Sequence, residues 1–590
     1  MLAPSSQETG HTLLLIEAGL TFIAIAAAFA WPRLGATFFS RLERAFARLA
    51  RRKSLAVVAV GLSAFFLRLA ILPLCPIPLP FIPDDFSFLL AADTFLHGRL
   101  TNPTPAMWAH FESLHITMQP TYMSMYFPAQ GLAMAAGKLV FGHPWFGILA
   151  ASALMCAAIC WMLQAWLPPA WALLGGFLAV LRLGLFSYWI NTYSGAGFLA
   201  AIGGALVLGS LPRIMRGPRQ RHTLLLAAGI VLVGTTRPYE GLLLCLPTAA
   251  VLGRWLLMGK NRPPARELAR LAAAPLALLI AAGAWMGYYD YRAFGSPATL
   301  PYSVDRATYA VAPYYVWQSK RPAPVYRHES LRRFYVDFEP IEVDRIQSIP
   351  GFIRESLLKL EWSLTFFAGV ALLPPLFMLR RVFRDRRIRF LVLCVLLMTA
   401  GVGIEIYLIP HYVAPFTPAF YAIGLQAMRH LRFWSPGDQP VGATLVRLTV
   451  TLCLLTAGLR LVAGPLRLMV PEWPAGEWSS MWFGPGYFGT ERAGIEASLE
   501  QLPGPQLVLV RYARDHYPLD EWVYNGAEID GAKVIWAREM DGAKNLELIH
   551  YYRGRQVWLA QPDAQAAKLS PYAVPEQAGA IAPQAGHRLR

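Results

Sequence analysis

Long runs of apolar residues alternate with short polar linkers along most of this 590-residue chain. A bilayer core needs about 20 apolar residues per helix, and most of the runs have 17 to 22 residues. The pattern therefore predicts a mainly α, polytopic transmembrane helix bundle of about 12 spans. The predicted spans are 12–31, 54–74, 145–166, 169–185, 195–212, 223–237, 238–257, 269–288, 362–380, 389–409, 414–430 and 443–464.

The composition agrees with a membrane protein and excludes a nucleic-acid-binding one. The chain is 55% hydrophobic and 15% charged, with a net charge of +17, whereas an average soluble domain is about 25% charged. The basic residues do not form one extended patch, as in a nucleic-acid groove. They lie in short clusters between the apolar runs, which is the positive-inside pattern of membrane proteins.

The basic clusters also predict the orientation of the chain. Linker 33–53 carries seven Lys or Arg residues, 213–221 four, 254–270 five and 380–389 six, whereas 75–128 carries only Arg99. All of the basic linkers fall on one side when the spans alternate, so we expect that side to be cytoplasmic. Both termini are then extracytoplasmic, and the composition favours a bacterial inner membrane.

Outside the spans, the sequence predicts two external loops, 75–144 and 291–361, and a small extracytoplasmic α/β domain. Loop 75–144 contains a short apolar helix near 129–142. In the tail, residues 506–512, 532–539 and 555–561 are predicted strands and 545–554 a helix ending at a glycine. The predicted organisation is an N-terminal helix with a basic linker (1–53), a membrane domain (54–464), the α/β domain (465–570) and a disordered tail (571–590).

Two adjacent carboxylates, Asp84 and Asp85, open the first external loop in "FIPDDFSFLLAADTFLHGRLTNP". Acidic residues after a proline are typical of a helix start, so a solvated turn or an N-cap is one interpretation of the pair. The other is a functional site, because charged groups near the bilayer are costly and often functional.

Further polar residues near the outer ends of the predicted spans favour the second interpretation. Each has an ordinary alternative, such as an arginine that extends to lipid head groups or an aromatic residue that anchors a span. Together they predict one polar layer at the outer membrane face: Arg68, Arg182, Arg237, Glu240, Glu405, His411 and Tyr412.

The motif resembles that of the GT-C glycosyltransferases, which use polyprenyl-phosphate sugars, and most closely the protein O-mannosyltransferases and aminoarabinose–lipid A transferases. The acidic pair opens the first large external loop, and "YFPAQG" (126–131) leads into the short helix. Ala129 departs from the Tyr/His-Pro-Pro pattern of the family. The resemblance covers roughly residues 54–290, with further support from "PHYVAPFTP" near residue 410.

The resemblance implies an enzyme, a hexosyl- or pentosyltransferase that moves a sugar from a polyprenyl phosphate to an extracytoplasmic lipid, glycan or protein with inversion. Asp84 is expected to act as the catalytic base, and Asp85 to orient the acceptor or to bind Mg²⁺ or Mn²⁺ with Asp84. No cofactor is expected to be required, and the metal is optional. The expected partners are the lipid-linked donor, membrane lipids and an unidentified acceptor.

Cations are expected to bind the donor phosphate because negative charge develops there. Arg237 is the first candidate, and Glu240 and Glu405 are expected to hold the cations in place. The other candidates for this phosphate site are Arg68, Arg182, Lys138, His411 and Tyr412.

Three other functions remain open at this level, and one of them is a non-catalytic scaffold whose tail domain binds partners. A transporter or flippase of lipid-linked sugars would share the basic linkers and the outer polar layer, although it would more often place charges near the bilayer midplane. A polymerase or ligase of surface polysaccharide would also be multispan, with a large external loop.

Overall fold

The computed structural model describes residues 6–259, 262–463, 489–564 and 568–573. Up to the first external loop, the helices are α1 (Ser6–Ala30), α2 (Ala36–Arg51), α3 (Lys53–Ala70), α4 (Pro83–Leu96), α5 (Trp108–Phe111) and α6 (Pro128–Phe141). The bundle continues with α7 (Trp145–Trp166), α8 (Pro169–Ala179), α9 (Tyr188–Asn191), α10 (Gly197–Arg216), α11 (Gln220–Gly234), α12 (Pro238–Met258) and α13 (Ala265–Phe294).

The second external loop and the last spans follow. Their helices are α14 (Pro301–Tyr309), α15 (Glu329–Arg332), α16 (Pro340–Ile346), α17 (Ile349–Phe367), α18 (Leu379–Arg384), α19 (Arg389–Gly403), α20 (Thr417–Arg432) and α21 (Val441–Ala463). The C-terminal region has α22 (Thr490–Gln501) and α23 (Gly542–Tyr551). Short π and 3₁₀ turns cover Val180–Gly184, Arg333–Phe338, Pro374–Met378, Ala414–Phe416 and Pro436–Asp438.

Seven of the described helices are long and apolar enough to cross a membrane, and three more are apolar but shorter. Eleven of the twelve predicted spans each overlap one α-helix over most of their length, with ends that differ by up to six residues, which agrees with a multispan protein. The count of twelve itself is not confirmed by helix length and composition.

The predicted span 362–380 is broken in the structure. Helix α17 ends at Phe367, and Gly369 takes a left-handed conformation with φ 60°. Buried side chains from other helices bind the backbone groups that the break releases. Arg182 Nε donates to the Phe366 carbonyl at 2.8 Å, and Glu17 Oε1 accepts from the Ala371 amide at 3.1 Å. A break in an apolar span is tolerated when protein groups satisfy its backbone in this way.

The short helix predicted near 129–142 is α6, which starts at Pro128 and ends before Gly142. Proline suits the first turn of a helix, and Gly142 takes the left-handed conformation (φ 80°) that favours a helix end. A Cβ atom added at Gly137 would lie 2.1 Å from the Gly147 backbone. The glycines therefore let α6 pack closely on α7 and fix the end of the first external loop.

The predicted C-terminal α/β fold is present in the described residues. Strands β4 (Gln506–Val510), β5 (Val534–Arg538), β6 (Gln556–Gln561) and β7 (Lys568–Pro571) form one sheet in the order β5-β4-β6-β7. Strand β4 pairs parallel with β5 and β6, and β7 pairs antiparallel with β6. The predicted boundary at 465 lies outside the described residues, as does the predicted tail except for its first three residues.

The sheet shares a core with the first external loop. That loop forms a small antiparallel sheet from β1 (Asn102–Pro103), β2 (Ile116–Thr117) and β3 (Thr121–Ser124). The shared buried residues are Leu90, Phe111, Ile116, Leu507, Ile535 and Leu548. Phe86 of α4 also stacks on Tyr524, with ring centroids 4.7 Å apart. The C-terminal domain thus packs directly against the helix that carries the aspartate pair.

Candidate active site

Asp84 lies in the first turn of α4, directly after Pro83 at the first helical position. The side-chain hydroxyl of Tyr126 donates a hydrogen bond to Asp84 Oδ1, and His115 Nδ1 lies 2.9 Å from the same oxygen. His115 Nδ1 is also 3.2 Å from the Tyr126 hydroxyl. Within the described parts of the chain, Asp84 Oδ2 has no hydrogen-bond or ion-pair partner. Because the side chain is 27% exposed, this second oxygen is available to a ligand.

Local hydrogen bonds hold His115 in this arrangement. Its backbone takes a left-handed conformation with φ 63°, which is uncommon for a residue other than glycine. The His115 carbonyl accepts hydrogen bonds from Ser87 Oγ at 2.7 Å and from the Met125 amide at 3.1 Å. These contacts tie the histidine to α4 and to the end of β3, which fixes its ring beside Asp84.

The charge of His115 depends on its neighbours. Burial alone lowers the pKa of His115, but the negative charges of Asp84, Asp305 and Glu339 more than offset that effect, so the net pKa is raised. The protonated ring is therefore favoured beside the Asp84 carboxylate.

Asp85 has a different environment although it is the next residue. Its side chain is fully buried. Asp85 Oδ1 accepts a hydrogen bond from the Tyr193 amide at 2.9 Å, and Oδ2 accepts one from the Phe81 amide at 3.3 Å. Burial raises the pKa of Asp85 to about 7, and the backbone N–H donors limit the rise. Both oxygens thus accept backbone hydrogen bonds, which connect the first turn of α4 with Phe81 and Tyr193.

Arg237 directly precedes α12, and its guanidinium carbon is 4.2 Å from the centroid of the Tyr412 ring. Its Nη1 is 3.6 Å from Glu240 Oε1, which is nearly buried. Its side chain donates no hydrogen bond to any of the described residues. The Arg237 side chain is 18% exposed, so it can reach a ligand from a position fixed by Tyr412 and Glu240.

Tyrosine side chains connect Asp84 with Arg237. The Tyr126 and Tyr302 rings are 6.3 Å apart, measured between centroids. Burial raises the pKa of Tyr412 to about 12, with Arg237 acting in the opposite direction and the Asp84 carboxylate adding to the rise. Tyr412 therefore lies within electrostatic reach of both charged groups, so Asp84 and Arg237 lie in the same region of the structure.

The second external loop contributes residues that were not predicted from the sequence. Arg306 and Glu339 form a nearly buried ion pair, and the guanidinium of Arg306 lies 4.8 Å from the Tyr314 ring centroid. Asp305 is fully buried, and burial raises its pKa to about 6 although His115 and Arg306 act in the opposite direction. The adjacent acid and base in the aromatic segment "PYSVDRATY" (301–309) were the available signal for this part of the pocket.

Three of the candidate phosphate-binding cations have other partners in the structure. Arg68 is fully buried and donates to the Cys75 carbonyl at 2.8 Å and to Asn191 Oδ1 at 2.9 Å. Arg182 binds the carbonyls at the break after α17. Lys138 Nζ lies 3.7 Å from Asp93 Oδ1 and its side chain is 48% exposed. None of these contacts brings the three side chains against Asp84 or Arg237.

The two remaining candidates lie near Arg237. His411 Nδ1 is 2.6 Å from the Tyr188 hydroxyl, and its ring centroid is 5.0 Å from that of Tyr412. Glu405 lies just beyond the end of α19, and its carbonyl accepts a hydrogen bond from Lys359 Nζ. His411 and Lys359 therefore help to hold the segment that carries Tyr412 and Glu405.

An apolar cavity of about 680 Å³ begins beside this segment and extends along α17, α19 and α20. Its walls are almost entirely aliphatic and aromatic. The residues at the end next to Glu405 are Lys359, Gly403, Ile404, Leu408 and Val413. The cavity and the Arg237 pocket thus share the loop that follows α19.

Among the described residues, no group of three or more acidic, histidine or cysteine side chains is arranged to hold a metal ion. Asp84 and His115 provide only two ligands at the pocket, and both Asp85 oxygens accept backbone hydrogen bonds. Mg²⁺ favours several oxygen ligands in octahedral geometry, which this pair of side chains does not supply. Metal dependence stays a prediction.

Comparison with known proteins finds similarity to solved structures only at low sequence identity. No protein-family model matches the chain, and no curated protein sequence does. Among solved structures, it is similar to ArnT from Cupriavidus metallidurans in the apo state (13% identity, 85% of this chain, 92% of that chain, TM-score 0.47). ArnT bound to undecaprenyl phosphate gives 14% identity, the same two coverages and a TM-score of 0.46.

The archaeal oligosaccharyltransferase AglB from Archaeoglobus fulgidus, in complex with an inhibitory peptide and a dolichol-phosphate, is also similar. It gives 10% identity over 86% of this chain and 69% of that chain, with a TM-score of 0.41. The likeness to these solved structures is one of low sequence identity. At these identities and TM-scores it assigns no activity to the chain.

Proposed function

We propose that this protein is a membrane glycosyltransferase that moves a sugar from a polyprenyl phosphate to an acceptor at the non-cytoplasmic face. The observation that carries the proposal is the state of the Asp84 carboxylate. One of its oxygens is held by Tyr126 and His115, and the other has no hydrogen-bond partner in the described residues and lies in the region that also contains Arg237. A held carboxylate with one accessible oxygen is suited to general base catalysis.

In the proposed reaction, the acceptor hydroxyl or amine gives its proton to Asp84 Oδ2 as it attacks the anomeric carbon of the donor sugar. A bond forms from the acceptor atom to that carbon, and the bond from that carbon to the phosphate oxygen breaks. The polyprenyl phosphate leaves with the electron pair. A single displacement of this kind inverts the anomeric configuration. His115 and Tyr126 fix the orientation of Asp84 throughout.

Arg237 is the proposed ligand of the donor phosphate. Its planar guanidinium can donate two hydrogen bonds to one phosphate group. The Tyr412 ring and Glu240 hold the guanidinium in place before the donor binds. A cation that is already oriented stabilises the negative charge that develops on the leaving phosphate. This chemistry uses no metal ion.

The apolar cavity is the proposed site of the polyprenyl chain. It adjoins the loop that carries Tyr412, so a phosphate at Arg237 would have its hydrocarbon chain directed between α17 and α19. The aliphatic wall matches the chemistry of an isoprenoid chain, and the end nearest Lys359 is polar. The acceptor would enter from the opposite side, between the external loops and the C-terminal domain. We propose a bacterial inner membrane as the location, with both termini extracytoplasmic.

The direct test is Asp84→Asn in the full-length protein, with turnover of a labelled polyprenyl-phosphate sugar measured in membranes supplied with cell-envelope acceptors. We expect kcat to fall by about 10²–10⁴-fold, the usual contribution of a general base. Asp344→Asn is the matched control, because Asp344 is an exposed carboxylate of the second external loop that pairs with Lys320. Near-normal turnover by Asp84→Asn would remove Asp84 as the base.

The same assay separates transfer from transport. A transporter or flippase would carry the labelled lipid across the bilayer in proteoliposomes without forming a new glycosidic bond. Translocation without any glycosylated product would overturn the proposal. Mass spectrometry of the cell envelope with and without the protein would identify the acceptor from the missing sugar mass.

A further inference from the structure

Helix α2 (Ala36–Arg51) has two chemically distinct faces that the proposed reaction does not use. Arg41, Arg44, Arg48 and Arg51 recur at spacings of three and four, so they form one basic stripe. Phe38, Leu42 and Leu49 form a separate apolar stripe, about 120° around the helix from the basic one. The helix is too short to be one of the membrane-spanning helices and lies between two of them.

The apolar stripe is only partly covered by protein. One edge packs on the bundle through Phe46, whose ring centroid is 6.0 Å from that of Phe177 in α8, and through the buried Ala50. The other edge is open, with Phe38 67% and Leu42 54% exposed. Because the helix is anchored beside α8 at the rim of the bundle, this open edge is positioned to meet the bilayer.

The basic stripe has no carboxylate partner in the described part of the chain. Glu43 is the one acidic residue of α2, and it pairs with Arg432 at 2.7 Å and with Arg447 at 2.9 Å. The Nε atom of Arg44 donates to the Ser40 carbonyl of the same helix at 3.2 Å. The positive charge of the stripe is therefore not neutralised by this protein.

We propose that α2 lies in the membrane–water interface and binds the head groups of anionic phospholipids through Arg41, Arg44 and Arg48. A helix with a basic face and a separate apolar face takes this position in a bilayer. Phe38 and Leu42 would lie among the acyl chains, and the arginines would lie along the head-group phosphates. Basic residues next to a membrane helix favour anionic lipids. The inference does not depend on the proposed glycosyl transfer.

The test uses the full-length protein in nanodiscs of phosphatidylcholine, titrated with phosphatidylglycerol, and measures the thermal midpoint together with the lipids that copurify. We expect phosphatidylglycerol to be enriched around the native protein and to raise its midpoint. The triple substitution Arg41→Gln, Arg44→Gln, Arg48→Gln should lower the affinity for phosphatidylglycerol on the order of a hundredfold, from the usual contribution of each basic residue.

The matched control is Arg381→Gln, Arg384→Gln, Arg386→Gln, which removes the same charge from exposed positions in and after α18. It should keep the preference for phosphatidylglycerol. Equal losses in both triple variants would overturn the proposal, because the effect would then belong to the total charge of this face. An unchanged midpoint in pure phosphatidylcholine shows that the α2 variant is folded.

Two further results distinguish the source of the phosphate group. Inorganic phosphate at millimolar concentration should not reproduce the stabilisation, because it has no acyl chains to place beside Phe38 and Leu42. If phosphate alone raised the midpoint as much as phosphatidylglycerol does, the site would be a simple anion site and the lipid-binding proposal would be wrong.

Discussion

Replacing Asp85 by asparagine tests whether Asp85, unlike its neighbour Asp84, acts mainly on the stability of the fold. Burial raises the pKa of Asp85 to about 7 from an ordinary value of 3.8. A rise of about three pKa units corresponds to about 4 kcal/mol of folding free energy, at 1.36 kcal/mol per unit. Asp85 accepts hydrogen bonds from the backbone amides of Phe81 and Tyr193, so its carboxyl group helps to hold these two segments in place.

The sign of the effect follows from proton binding. Because the pKa is raised in the folded state, the native protein holds this proton more tightly than the unfolded chain does between about pH 4 and 7. The contribution to stability is therefore complete below about pH 4, falls as the pH rises and is lost above about pH 7. Asparagine does not titrate, so the variant should lack this part of the pH dependence.

The variant also loses one hydrogen-bond acceptor, which leaves a buried N–H group unsatisfied at a cost of about 1–3 kcal/mol. Asp85→Asn should thus be less stable than the native protein at pH 4.5 and more stable at pH 8, by about 1–3 kcal/mol at each end. The two curves of thermal midpoint against pH should cross. The measurement uses detergent-purified native protein and Asp85→Asn, with Asp344→Asn as the control for an exposed carboxylate. Parallel curves for all three proteins would refute the reasoning.

Three further predictions concern the rest of the pocket and its covering domain. Arg237→Ala should raise the KM for the lipid-linked donor and lower kcat. Arg237→Lys should recover only part of the loss, because lysine lacks the planar guanidinium. Unchanged donor kinetics in both variants would exclude Arg237 from the phosphate site. Tyr126→Phe removes one hydrogen-bond donor from Asp84 and should lower kcat by about tenfold at unchanged donor KM, which corresponds to about 1.4 kcal/mol of activation free energy. A change confined to KM would contradict a role in orienting Asp84. Arg538→Met leaves the buried Glu521 without its cation and should lower the free energy of unfolding by about 3–5 kcal/mol. The thermal midpoint should fall, and adding Glu521→Gln should partly restore it. A native midpoint in the single variant would show that the pair is not buried in solution.

Local patterns were sufficient to predict most of the helices and strands. The apolar runs locate the spans because a lipid-facing helix needs a minimum apolar length, and Pro128 and Gly142 mark the ends of α6. The strands of the tail are also where their hydrophobic residues predicted them. The span 362–380 was the exception, since its break depends on Arg182 and Glu17, which come from helices distant in sequence.

The site could be predicted only in part, because its geometry depends on long-range contacts. Asp84 was recognisable from the acidic pair in the loop after an apolar run, and Arg237 from its position at the end of one. The interaction of Asp84 with His115 requires the turn that gives His115 its left-handed backbone, and no local pattern indicates that turn. Asp305 and Glu339 reach the pocket through the fold of the second external loop, which has no regular period.

The aspartate pair shows why a motif of two acids does not imply two catalytic groups. Successive residues of an α-helix differ in direction by about 100°, from 3.6 residues per turn. At the start of α4, one side chain of the pair therefore points toward Tyr126 and the other toward the backbone of Phe81 and Tyr193. The buried member fixes the helix start and the partly exposed member keeps a free oxygen. An Asp84→Glu substitution would extend the exposed carboxylate by one methylene and keep its charge, whereas Asp85→Glu would have to fit that methylene into a fully buried site. The first change should mainly alter turnover and the second mainly stability, which is the distinction that the two positions on the helix impose.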